Sequence, residues 1–251
     1  MSPALARPEL ALYDASTGKP AEAEALFQQA LEEAKPDDGH GRAWLKLQLG
    51  IIAMHHGRYE DALSRLMDAN SDFTGWWLVQ EHIAEVYTLL GRDDEAAGLY
   101  ERIVRDTELP QYMDALAGCY ERMHRADEAR ALVARARAAW QQQLAELPES
   151  AMGHGLEHFL EHGNADEALD LARRNHDVRP GGEAQVGLAR AYLAASQPAA
   201  ALEVLEATLK TPYRTADLHD AAREAYAAVG KPDAAEAQRK ACLALNPRYT
   251  P

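Results

Sequence analysis

Cysteine is nearly absent from this chain, and so are phenylalanine and long apolar runs. Only Cys119 and Cys242 occur, far apart and with no second cysteine beside either, so no disulfide framework and no paired-cysteine redox or zinc motif can be built. No apolar run approaches the roughly 20 residues needed to span a bilayer, and "MSPALARPELALYDAS" at the start has no signal-like apolar stretch. Positive charge is scarce: 26 Lys and Arg stand against 40 Asp and Glu, a formal charge of −14. That balance argues against nucleic acid and anionic lipid, both of which are bound chiefly through basic side chains. Sequence motifs for catalysis are missing as well: no G-x-x-x-x-G-K, G-x-G-x-x-G, G-x-S-x-G or H-E-x-x-H. The expectation is a cytoplasmic, non-enzymatic acidic protein with no cofactor and no membrane insertion.

What the chain does contain is an echo. "GRYEDALSRLMDA" at 57, "GRDDEAAGLYERI" at 91, "HRADEARALVARA" at 124, "GNADEALDLARRN" at 163 and "GKPDAAEAQRKAC" at 230 all begin at a turn signal and run into an amphipathic helix. Taking Gly18, Gly57, Gly91, His124, Gly163, Ser196 and Gly230 as turn markers, the steps are 39, 34, 33, 39, 33 and 34 residues. Five residues after every marker stands an alanine: Ala23, Ala62, Ala96, Ala129, Ala168, Ala201 and Ala235. Four residues before it come the rings of Tyr87, Tyr120, Phe159, Tyr192 and Tyr226, and seven before it small residues such as Gly50, Ala84, Ala117 and Ala189. A ring on one helix beside a small residue on its neighbour lets two helices approach closely.

This register resembles the tetratricopeptide repeat family, over nearly the whole chain. The resemblance implies an all-α fold: one right-handed α-solenoid domain over 1–251, of about six to seven helix-turn-helix repeats near 4–36, 43–75, 77–109, 110–147, 149–180, 182–213 and 216–248. Two long steps mark irregularities. "RADEARALVARARAAWQQQLAEL" reads as one extended helix before Pro148, and "AKPDDGHGR" as a Pro/Asp/Gly loop. Pro8 makes the first repeat degenerate, a half-formed cap, while Arg223 and Arg239 give the last repeat the polar face that ends a solenoid in water.

In this family the first helix of each pair lines a concave groove. Carried onto this sequence, that geometry selects Trp44, Leu47, Ile51, Met54 and His55, then Leu78, Glu81, Glu85 and Leu89, then Asp114, Glu121 and Arg122, then Glu157 and Glu161, then Glu183, Val186 and Arg190, and last Asp217, Asp220 and Glu224. The groove so defined is apolar at one end and acidic over the remainder, which suits a basic or amphipathic protein segment drawn in by charge. It does not suit acidic tails, which one subgroup of the family clamps with basic groups. Two plainer readings fit the same residues: an acidic protein carries acids on every face, and Trp44, Leu47, Ile51 and Met54 at i, i+3, i+7, i+10 form a stripe that could pack on the first repeat.

The remaining chemical feature is "GHGLEHFLEHG", in which His154, His158 and His162 share one helix face at i, i+4, i+8. That spacing offers an alternative function, metal or small-ligand binding, with Glu157, Glu161 and Asp166 near. Its counterpart is a run of surface and interhelical histidines. Cys119, inside a first helix, reads as a packing cysteine.

Overall fold

The computed structural model describes residues 3–250, and their side chains from residue 7 onward. Among these residues there are fourteen α-helices and no β-strand. They run α1 (Pro3–Ser16), α2 (Pro20–Glu33), α3 (Gly39–His55), α4 (Tyr59–Asp72), α5 (Trp77–Leu89), α6 (Asp93–Thr107), α7 (Pro110–Arg122) and α8 (Ala126–Glu146). Then follow α9 (Pro148–His162), α10 (Ala165–Val178), α11 (Gly182–Ala194), α12 (Pro198–Thr208), α13 (Ala216–Ala228) and α14 (Pro232–Leu245). The helices form two compact units. The first holds the residues up to Glu108 with Ala115–Ala129, the second Leu109–Asp114 with Arg130 onward. Within the first unit consecutive helices pack from α1 to α6, and within the second from α9 to α14.

The turn markers earn their place through the backbone. Gly18, Gly57, Gly91 and Gly230 have φ between 70° and 75°, and His124 and Ser196 have φ of 60° and 57°. A left-handed residue at this point folds the chain back on the helix it has just left, so that the next N–H bonds the carbonyl five residues earlier. Arg58 thus donates to Ala53, Arg92 to Tyr87, Arg125 to Tyr120, Gln197 to Tyr192 and Lys231 to Tyr226, at 2.7–2.9 Å. The arginine side chain then lies over the ring of the residue whose carbonyl it has bonded: Arg92 is 4.3 Å from the Tyr87 centroid and Arg125 3.8 Å from that of Tyr120. Both arginines also reach forward to Glu95 and Glu128 in the first turn of the following helix. Gly163 departs from the rule, with φ of −95°; there Asn164 caps α10 by accepting from the Glu167 N–H at 2.9 Å.

Only glycine holds the left-handed region at no steric cost. His124→Gly and Ser196→Gly should therefore each raise stability by about 1 kcal/mol, read as a shift of the urea midpoint; unchanged midpoints would mean that the side chains repay their strain.

The register alanines seat the second helix of each pair on the first. Ala23, Ala62, Ala96, Ala129, Ala168 and Ala201 are buried to within 1% and Ala235 to 8%. Neighbouring repeats are stapled by rings: the Tyr120 hydroxyl donates to Glu101 on α6 at 2.7 Å, and that of Tyr226 to Glu206 on α12 at 3.1 Å. The long helix expected before Pro148 is α8, with 21 residues against 11–15 in the other second helices. The loop expected after α2 is shorter than its composition suggests, because Asp38 accepts from the Gly41 N–H at 2.8 Å and starts α3 at Gly39. The first repeat is not half-formed. α1 runs through Pro8 and pairs with α2 over buried Ala11, Ala23 and Phe27.

Candidate functional site: a charged groove on α9, α11 and α13

In the first unit, the predicted apolar stripe is packing. Leu47 and Met54 are 1% and 3% exposed, in a core with Tyr59, Leu66, Val79 and Ile83, and Ile51 packs against that core. Trp44 meets Phe27 of the first repeat edge-on, at 5.9 Å between centroids. Leu47 and Met54 therefore cannot touch a partner: α3 turns that face toward its own hairpin with α4 and toward α5. His55 remains exposed and Leu78 half-buried.

Beside them His82 stands between two of the predicted groove acids, 3.0 Å from Glu85 and 3.5 Å from Glu81. Burial works to lower the His82 pKa, but the Glu85 hydrogen bond and the charges of both carboxylates outweigh it and hold the imidazole above its ordinary value. A protonated His82 offsets part of the acidity that the sequence assigns to this surface. Glu121 is exposed, while Arg122 pairs with Asp93 at 2.7 Å. Cys119 is buried, 3.7 Å from the Thr88 hydroxyl, and burial pushes its thiol up, which suits a packing residue.

Asp114, in the second unit, is held by packed partners. Its carboxylate accepts from the Trp140 indole N–H at 2.8 Å and contacts His158 Nδ1 at 2.8 Å, while Trp140 is 1% exposed and the His158 side chain has no exposed surface. Close approach of α9 makes this possible, since a Cβ on Gly155 would lie 3.3 Å from the Trp140 ring. The arrangement also dismantles the histidine stripe as a ligand set. His158 turns into the core toward Asp114, His154 is exposed, and His162 lies 5.4 Å from His158 between ring centroids. Among the described residues no three His, Cys, Asp or Glu side chains converge as a metal site would require.

What the second unit does form is an open groove of about 740 Å³ across three successive first helices. Glu157 and Glu161 of α9, Arg190 of α11, and Arg223 and Glu224 of α13 supply its charge; Leu160, Leu193, Ala194, Ala227 and Ala228 supply an apolar floor. The two arginines are already engaged. Arg190 contacts Asp217 at 3.3 Å, and Arg223 bonds Asp220 at 2.7 Å. The glutamates are less well served. Among the described residues Glu161 has only His162 at 3.6 Å, Glu224 only Arg223 at 3.8 Å, and Glu157 has no hydrogen bond or ion pair. Glu157 is open to solvent yet set in a concavity, and the surrounding protein raises its pKa; the Arg190 charge nearby does not fully offset this.

Sequence reasoning found Glu157, Glu161, Arg190 and Glu224 and missed the floor. The signal was available: Leu160, Leu193 and Ala227 all stand three residues before their markers, and Ala194 and Ala228 two before theirs. Arg223, read as part of a polar end face, lines the groove instead.

The tetratricopeptide repeat model matches residues 81–111, the span from α5 to the start of α7. A tetratricopeptide repeat protein from Parabacteroides merdae ATCC 43184 superposes with a TM-score of 0.56 at 19% identity, over 96% of this chain and 93% of that one. The fold is that of tetratricopeptide-repeat structures. A chain of the APC/C hetero-tetramer Cut9–Hcn1 is similar in the same way, with a TM-score of 0.54 at 15% identity over 94% of this chain, which spans only 45% of that one. No curated protein matches the sequence. At these identities the likeness of the tetratricopeptide-repeat structures is one of fold. No described helix is long and apolar enough to cross a membrane.

Proposed function

We propose that this protein is a non-catalytic binding scaffold whose groove on α9, α11 and α13 holds a protein segment carrying basic side chains beside small apolar ones. Stacked helix pairs of this kind present extended concave surfaces that bind other proteins. The observation that carries the finer reading is the mismatch of charge within the groove: both arginines are paired with Asp217 and Asp220, while Glu157 and Glu161 have no lysine or arginine bonded to them. A lysine or arginine from a ligand completes those carboxylates, and the strip from Leu160 to Ala228 takes the apolar face of the same segment. Binding by a preformed groove leaves the ordering cost mainly on the ligand.

The test uses a labelled twelve-residue synthetic peptide of lysine, leucine and alanine. It should bind the wild-type protein, more weakly as salt rises, and Glu157→Lys with Glu161→Lys should weaken it by roughly tenfold or more, since two attractive pairs become repulsive. Both positions are exposed, so the helical circular dichroism of the variant should match that of the wild type. Equal affinity in the variant sinks the reading.

A further inference from the structure

The segment after α14 does not leave the protein. Asn246, 6% exposed, caps α14 by donating to the Cys242 carbonyl at 2.9 Å. Its side chain then accepts from the Arg248 N–H at 3.0 Å, and its carbonyl from the Tyr249 N–H at 3.1 Å. Asparagine followed by proline at the first two positions of a turn favours this reversal, because Pro247 fixes φ and Asn246 bonds its own backbone two residues on. The turn sends Tyr249 back to the groove. Its hydroxyl donates to Asp217 at 2.7 Å and accepts from Arg190 at 3.4 Å, and Arg190 in turn donates to the same Asp217 oxygen at 3.3 Å. Arg190 lines the groove, and Asp217 beside it lies near enough for its charge to act on Glu157, so the chain's own tyrosine sits next to the groove's charged residues. Burial and the adjacent Asp217 both raise the phenol pKa, keeping the hydroxyl a donor at neutral pH.

We propose that the segment Pro247–Thr250 is a strap that competes with the ligand of the groove. In the free protein Tyr249 occupies Asp217 and Arg190; a basic segment entering the groove takes Asp217 with its own cation, and the strap is released. This rests on the reading of the groove given above and adds to it an internal competitor, so that affinity is set by the difference between two occupants of one wall. The release is local. Asn246 stays buried and α14 stays capped, because both contacts lie before the part of the turn that moves.

The experiment measures the affinity of the same lysine, leucine and alanine peptide for wild-type protein and for Tyr249→Phe, which keeps the ring and removes the hydroxyl. Losing the competing hydrogen bonds should tighten binding in Tyr249→Phe by roughly three- to tenfold, the modest range expected because Asp217 is 58% exposed. In the wild type, saturating peptide should also speed hydrogen exchange at the Tyr249 amide. Equal affinities, or exchange that peptide leaves unchanged, would overturn the strap while the groove reading stands. A peptide that binds neither protein would overturn both.

Discussion

Trp140→Ala is expected to lower the unfolding free energy by about 3–5 kcal/mol, the usual cost of truncating a buried tryptophan. Trp140 is 1% exposed, its ring fills the space opened by Gly155, and its N–H holds one oxygen of Asp114. The substitution therefore leaves a cavity against α9 and strips the carboxylate that positions His158. Trp140→Phe separates the two effects: it keeps most of the volume and should cost about 1–3 kcal/mol for the unpaired acceptor. Asp114→Lys, which the sequence alone would place among charge reversals of a binding surface, should behave like the tryptophan variants. It removes the acceptor of both Trp140 and His158 and leaves those polar groups buried and unpaired. Urea titration followed by circular dichroism checks the series. A Trp140→Ala midpoint close to that of wild type would show that the contacts around Asp114 are incidental to folding.

Asp114 also shows where sequence reading reaches its limit. The repeat register placed it correctly on a first helix, because markers, alanines and rings recur in the chain itself. Its neighbours could not be read off, because Trp140 and His158 come from 26 and 44 residues away and only packing brings them together. The same holds for Leu47 and Met54. Their spacing fits a binding stripe and a core face equally, and the choice depends on α4 and α5 covering them. Glu157, Glu161 and Arg190 were legible since they fall at fixed offsets from their markers. What the register could not supply is which charges are already paired: Asp217, Asp220 and Tyr249 decide that, and Tyr249 lies outside every repeat. A periodic sequence thus states the scaffold openly, and the differences between repeats, which carry the site, become visible only through contacts.

Gly50→Leu should be the most damaging change in the first unit. At the same offset from the turn three other repeats carry Ala84, Ala117 and Ala189, whereas here a glycine leaves the space to Leu66. A Cβ on Gly50 would lie 2.8 Å from Leu66 Cγ and 2.9 Å from its Cδ2, and Leu66 is wholly buried in the core shared by α3, α4 and α5. Real Cβ atoms do not sit at that distance, so even alanine forces Leu66 to move within a full core, offsetting the roughly 1 kcal/mol that alanine gains over glycine inside a helix. Leucine adds three more carbons with nowhere to go, and the expected loss is about 3 kcal/mol, at the upper end for overpacking. Gly50→Leu combined with Leu66→Ala tests the cause, because shrinking the residue that the new side chain strikes should recover part of the loss. If the double variant is less stable than Gly50→Leu alone, the damage comes from elsewhere on α3 and the close approach at Gly50 is not what that glycine is for.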